Sequence, residues 1–309
     1  MDGHYAALMA EVTVRDARPD DAPAIAEVWA AAGPLLVRSA ARAPADLRSD
    51  QVVGRRRWVS ELDGRVVGTS SARRQGDGTV SVSVEVHPDS GSRRVGTALL
   101  AAALAAFPDA ADFSGVSNDD PIALAFAVRN NFVPTGEHRI AGVDPRTVPR
   151  AGPAPAGLRG VRLDEVDPEL VRVAHNASAA DDPSGLSRAY DPAGFRSDWW
   201  DSPDNAPELG CGLLDESAGA PVLAAFTAVQ VDRARGRSWS SMTATRPAYR
   251  GRGLARWVKQ TMLNVVAAAG VTSATTANDA TNGPMIAVND ALGYAPVGRW
   301  IRVQRRILR

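Results

Sequence analysis

The sequence predicts an α/β protein of two similar halves in tandem, each a sheet flanked by helices. Three observations predict it. At 309 residues the chain exceeds the usual size of one compact domain. The stretch "VDPRTVPRAGPAPAG" (residues 143–157) carries four prolines without periodicity, which is linker composition, and it divides the chain near its middle. On either side of it strands and helices follow in the same order, the mark of an internal duplication. The expected division is residues 11–143 for an N-terminal domain, 144–157 for the linker and 158–309 for a C-terminal domain.

Each half opens with a short strand, "VTVRDA" and "GVRLDE", and continues into a helix, "DDAPAIAEVWAAAG" and "DPELVRVAHNAS". Alternating strands follow. In the first half "RWVSEL" and "RVVGTSSA" flank Asp63 and Gly64, a strong hairpin signal, and "TVSVSVEV" comes next. In the second half the strands are "LGCGLLD", "APVLAAFTAVQV" and "RSWSSMTAT". A glycine-containing turn then leads into a helix. Gly96, Leu100, Ala103 and Phe107 share one face of the first such helix; Leu254, Val258, Met262 and Val265 share one face of the second, and Gly270 suits its end. A strand ("DFSGVS"; "VTSATTA"), a helix ("PIALAFAVR"; "TNGPMIAVNDAL") and a last strand ("FVPTGEHRIAG"; "YAPVGRWIRVQRR") are expected to close each half on itself.

Composition narrows the function. Hydrophobic residues make up 45% and charged residues 23%, ordinary for a soluble globular protein. Lysine plus arginine and aspartate plus glutamate balance at 35 each, whereas a general nucleic-acid binder carries a basic excess. The single cysteine, Cys211, allows no intrachain disulfide and fits a reducing cytoplasm. The four histidines are scattered without metal-ligand spacing, so no metal is expected. The N-terminus lacks a signal-peptide pattern, and no apolar run reaches 18 residues, so no membrane association is expected.

The stretch "TATRPAYRGRGLARWVKQ" (residues 243–260) concentrates the chemistry. A strand ends near Thr245, Pro247 begins a tight turn, and a helix starts near Gly251. Unpartnered N–H groups and the positive end of the helix dipole make an anion site there. Gly251 and Gly253 let a ligand approach the backbone, and Arg250 and Arg252 can fork onto phosphate oxygens. This suits a pyrophosphate. Neither the Walker pattern nor G-x-G-x-x-G is present, since Arg256 stands at the third glycine.

Arg250-x-x-Gly253-x-Ala255 resembles the R/Q-x-x-G-x-G/A element of the Gcn5-related N-acetyltransferases (GNAT). Downstream, "TANDATNGPMIAVNDALGYAPVG" resembles that family's next strand and helix. The first half resembles it through Arg93-x-x-Gly96-x-Ala98, with Pro88 standing two residues further from the arginine, which implies a longer loop. The resemblance covers both halves. It implies two tandem GNAT-like domains, each a mostly antiparallel sheet with a central splayed strand pair, and acetyl-CoA as acyl donor. The backbone of Arg250, Gly251, Arg252, Gly253, Leu254, Ala255 and Arg256 would cradle the pyrophosphate. Thr243, Ala244 and Thr245 would run beside the pantetheine arm, one N–H polarising the thioester carbonyl. Asn278 and Asn282 would reach the cofactor from the far side. The second half is expected to bind the donor and the first to be degenerate.

The implied reaction is direct attack of an amine on the thioester, with a base and an acid. The position of the family's acidic tyrosine holds Asn289 here, and Ala127 in the first half. Tyr249 lies nearby in sequence, and Tyr294 reads as core. The candidate base is Glu85, whose second-half counterpart is Ala244. The segment 177–208 would line the acceptor site with Asp181, Asp182, Tyr190, Trp199 and Trp200. Glu85, Asp182, Asn289 and Tyr249 are therefore the catalytic candidates. The expected function is acetyl transfer to a small-molecule or peptide amine by a cytoplasmic monomer or homodimer, with no nucleic acid and no membrane. The alternatives are a non-catalytic acyl-CoA-binding or scaffold protein, and activity in the first half with Glu85 as base.

Overall fold

The computed structural model describes residues 12–50, 53–90, 94–179, 181, 182, 187 and 189–306. In the first half β1 (Thr13–Asp16) leads into α1 (Ala22–Ala32) and α2 (Arg42–Ser49). β2 (Arg55–Leu62) and β3 (Arg65–Arg74) form a hairpin through Asp63 and Gly64, and β4 (Val80–Val86) pairs antiparallel with β3. α3 (Val95–Ala105), β5 (Asp112–Asn118), α4 (Pro121–Arg129) and β6 (Val133–Val143) follow. The second half repeats the order. It runs β7 (Arg159–Arg162), α5 (Pro168–Ala179), the short α6 (Pro192–Phe195), β8 (Cys211–Asp215), β9 (Val222–Asp232), β10 (Arg237–Thr245), α7 (Leu254–Ala268), β11 (Ser273–Asp279), α8 (Gly283–Ala291) and β12 (Ala295–Arg306).

All twelve strands join one sheet, ordered β1-β2-β3-β4-β5-β12-β6-β11-β10-β9-β8-β7. Pairing is antiparallel except at β4/β5 and β10/β11, one parallel pair in each half. Both parallel pairings are short. β10 and β11 pair from Arg237↔Ser273 to Trp239↔Thr275, then diverge; β4 and β5 pair only at Val80↔Phe113 and Ser81↔Ser114. A bulge between Ser240 and Met242 bends β10 where the divergence begins.

The last strands depart from expectation. Neither closes its own half. β12 lies between β5 and β6, and β6 lies between β12 and β11. Each half thus receives its closing strand from the other. A period-2 pattern states which face of a strand is buried but not which neighbour it pairs with. The linker is also more than a spacer. Its backbone is strapped along α7: Asn264 Nδ2 donates to the carbonyls of Val148 and Pro149, and Trp257 Nε1 to those of Gly152 and Pro153.

Helices cover both faces of the second half's sheet, which is why β9 is buried almost throughout. Val229 and Val231 face α7; Phe226 and Ala228 face α5 and α6. On α7 the apolar stripe runs Leu254, Val258, Met262 as read from the sequence, but Val266 completes it in place of Val265, and Lys259 lies within it. On α3 the core-facing residues are Val95, Leu99, Leu100 and Ala103 rather than a stripe begun at Gly96. An almost uniformly apolar helix gives periodicity nothing with which to set its phase.

Candidate active site

Where β10 and β11 diverge, a cavity of about 730 Å³ opens between them, and its mouth is the turn from β10 into α7. Pro247–Tyr249 forms one turn of 3-10 helix, and α7 begins at Leu254 with Gly253 at φ 74° and Gly251 at φ 77°. A Cβ on either glycine would meet nothing within 4 Å. These glycines therefore serve the left-handed backbone and leave the open side of the turn to a ligand. The first N–H groups of α7 have no partners within the helix, and Gly253 has no side chain to cap them.

The structure brings all the expected donor-site residues to this cavity except Arg252. Thr243, Ala244, Thr245, Arg250, Gly251, Gly253, Leu254, Ala255, Arg256, Asn278 and Asn282 line it. Arg252 instead lays its guanidinium 5.8 Å from the centre of the Tyr249 ring. Arg250 is engaged: Nη2 meets Asp181 Oδ2 at 2.6 Å and Nε donates to the Thr245 carbonyl at 3.2 Å. Asn282 caps α8 by accepting from the Met285 N–H, and Asn278 Oδ1 accepts from Asn289 Nδ2 at 2.6 Å. The buried hydroxyls of Ser241 and Thr245, both on the cavity wall, have no hydrogen-bond partner among the described residues. Such orphans mark where a polar ligand or water completes the bonding. An open helix N-terminus beside orphaned polar atoms on a splayed strand fits a ligand with the chemistry of an acyl-CoA.

The catalytic candidates fall in different places. Asp182 lines the cavity and accepts from the Ser187 N–H at 3.1 Å. Tyr249 also borders it, but its hydroxyl donates to Asp215 at 2.9 Å, and that bond holds the phenol above its ordinary pKa range. Asn289 is buried and does not line the cavity. Its Oδ1 accepts from Lys259 Nζ at 2.5 Å while its Nδ2 holds Asn278. Glu85 lies in the first half, bound to Arg38 at 2.9 Å and away from the cavity wall. Of the acceptor-segment residues, Asp181 and Asp182 reach the cavity. Tyr190, Trp199 and Trp200 instead pack with His175, Phe195 and Phe226 in the core on the α5 side.

Among the cavity residues missed in the sequence are Lys259 and His138. Lys259 is 1% exposed, lines the cavity from α7, and has its Nζ 4.7 Å from the centre of the Tyr294 ring. Burial pushes its pKa down to about 7, outweighing the hydrogen bond to Asn289 and the ring face, both of which favour the charged form. His138, on β6, is 2% exposed and lines the cavity from the opposite side of β11. Among the described residues, no group of three or more His, Cys, Asp or Glu side chains could hold a metal, and no helix is long and apolar enough to cross a membrane.

The first half's turn corrects the motif alignment. Pro88–Ser90 is again one turn of 3-10 helix, and α3 begins at Val95 with Arg94 at φ 60°. The spacing from proline to cap residue is the same in both halves, so the loop is not lengthened. Arg94, not Gly96, stands opposite Gly253; Arg93 lies outside the described residues. A side chain in the left-handed region is strained by about 1 kcal/mol, and here it stands at the cap position that Gly253 leaves bare in the second half.

The Acetyltransferase (GNAT) family model matches residues 25–132, the half whose turn carries Arg94. No curated protein matches the chain. Among solved structures, a tandem GNAT protein from the clavulanic acid biosynthesis pathway is 23% identical, with a TM-score of 0.71 over 96% of this chain and 98% of its own. A GCN5-related N-acetyltransferase from Sphaerobacter thermophilus is 19% identical, with a TM-score of 0.68 over 96% of this chain and 95% of its own. At these identities the likeness speaks for the fold, which both share from end to end. The GNAT family match thus lies in one half, residues 25–132, while the tandem fold shared with these structures extends over both.

Proposed function

We propose that the chain transfers an acetyl group from acetyl-CoA to an amine, and that the reaction runs in the second half, between β10 and β11. The observation that carries this reading is the α7 mouth, where Gly251 and Gly253 hold a left-handed backbone with no neighbouring atom within 4 Å of where a Cβ would stand. The backbone N–H groups of residues 251–256 would bind the diphosphate, with Arg250 and Arg256 adding charge. Thr243, Ala244 and Thr245 would align the pantetheine amides, and Asn278 and Asn282 would border it from the β11 side. The amine nitrogen bonds to the acyl carbon, the C–S bond breaks, and the thiolate takes a proton. Asn289 serves this indirectly, by positioning the Lys259 ammonium at the cavity wall as the proton source. Two features weigh against activity in the first half: Arg94 fills the place of Gly253, and Glu85 is held by Arg38.

The test is Gly253→Asp against Gly253→Asn. Both side chains tolerate the left-handed region and cost about 1 kcal/mol of stability there. Only aspartate adds negative charge at the phosphates. We expect Gly253→Asp to lose acetyl-CoA binding, measured by calorimetry, and Gly253→Asn to retain most of it. Equal affinity in the two variants would remove the α7 mouth as the donor site.

A further inference from the structure

We propose that His138 is the general base of the second-half cavity, so that the first half completes the catalytic site of the second. The proposal rests on the acyl-CoA reading above. His138 sits on β6, with Asp279 of β11 and Trp300 of β12 as its cross-strand partners, so the three side chains share one face. All three line the cavity, together with Trp239 and Asp182. His138 is almost fully buried, and its Nε2 has no hydrogen-bond partner among the described residues. An orphaned ring nitrogen at that burial is unfavourable unless a ligand meets it.

The surrounding charges suit a proton acceptor. Burial, aided by Arg302, holds the imidazole below the ordinary histidine pKa range, so it is neutral at pH 7. Asp279 and Asp182 pull the other way and would stabilise the imidazolium once a proton arrives. Asp279 is itself fixed by Arg302 at 3.1 Å and by the Thr281 N–H at 2.9 Å, so it supplies field and not a competing base. The step balances. The attacking amine forms its C–N bond and gives its surplus proton to Nε2. As the C–S bond breaks the thiolate takes a proton from Lys259; the imidazolium then gives its proton to solvent and Lys259 takes one back from it. The Trp239 and Trp300 rings, with centroids 5.5 Å apart, wall the same chamber and favour an amine carrying a flat apolar group.

The experiment uses the full chain with 2-phenylethylamine as probe. His138→Gln should bind acetyl-CoA within about twofold of wild type, lose 100-fold or more in kcat/KM for the probe, and lose the acidic limb of the pH–rate profile. Free imidazole should restore part of the rate to His138→Ala. Independently of turnover, the His138 Nε2 resonance should shift when the probe is added to protein saturated with CoA. An unchanged pH–rate profile in His138→Gln, or an Nε2 resonance indifferent to the probe, overturns the proposal. Absence of acetyl-CoA binding in wild type would instead overturn the reading beneath it.

Discussion

At Lys259 the apolar face of α7 carries an ammonium, and its burial has a sign that solution measurements can read. Its folded pKa is about 7 and its unfolded value near 10.5. Between these values the unfolded chain holds a proton that the folded chain has released, so stability rises with pH across that window. Below pH 7 both states are protonated and the term is constant. We expect urea midpoints of wild type to gain on those of Lys259→Met from pH 7 to 10, by at most about 1.4 kcal/mol per pH unit. Parallel midpoints would show that the ammonium is not desolvated. The stripe Leu254, Val258, Met262 was legible in the sequence. Lys259 was not, because a lysine beside such a stripe usually snorkels to solvent, and the cavity that receives it is made by other elements. His138 was hidden for a related reason: its alternation with Ile140 shows a buried face, but the cavity behind that face belongs to the other half.

The turn between β10 and α7 is legible as an element because its work is done by backbone, and glycine spacing reports backbone. Gly96 was misaligned with Gly253 for the same reason in reverse: glycine was sought where the chain instead tolerates a strained arginine, Arg94. The arginines were less legible. Arg250 bridges the cavity mouth to Asp181, a partner 69 residues earlier that no local pattern could name. The pair is about half exposed, at 45% and 52%, so its contribution is small, about 0–1 kcal/mol. Removing the carboxylate frees the guanidinium for a phosphate. We expect Asp181→Asn to bind acetyl-CoA up to about fivefold more tightly by calorimetry at low salt, with the gain shrinking as salt rises. Weaker binding would mean that Asp181 itself supports the donor.

The duplication was legible from the order of elements, but the exchange of closing strands was not, since pairing partners leave no mark on strand periodicity. β5 has β12 on one side along Asp112–Asn118, and β11 has β6 along most of its length. Cutting the chain in the linker therefore leaves each half without its neighbour strand. We expect residues 1–150 expressed alone to aggregate, and co-expression with residues 151–309 to give one soluble complex by size-exclusion chromatography. A folded monomer of the first half would argue that its edge can close without β12. The exchange also sets an order of events at the ribosome. The open edge of β5 has no partner until β12 leaves the exit tunnel. For most of synthesis the first half is thus a sheet with an exposed, pairable edge. Completion of the N-terminal half waits for β12 to emerge, so any stall before that would leave a nascent chain poised to pair with a stranger.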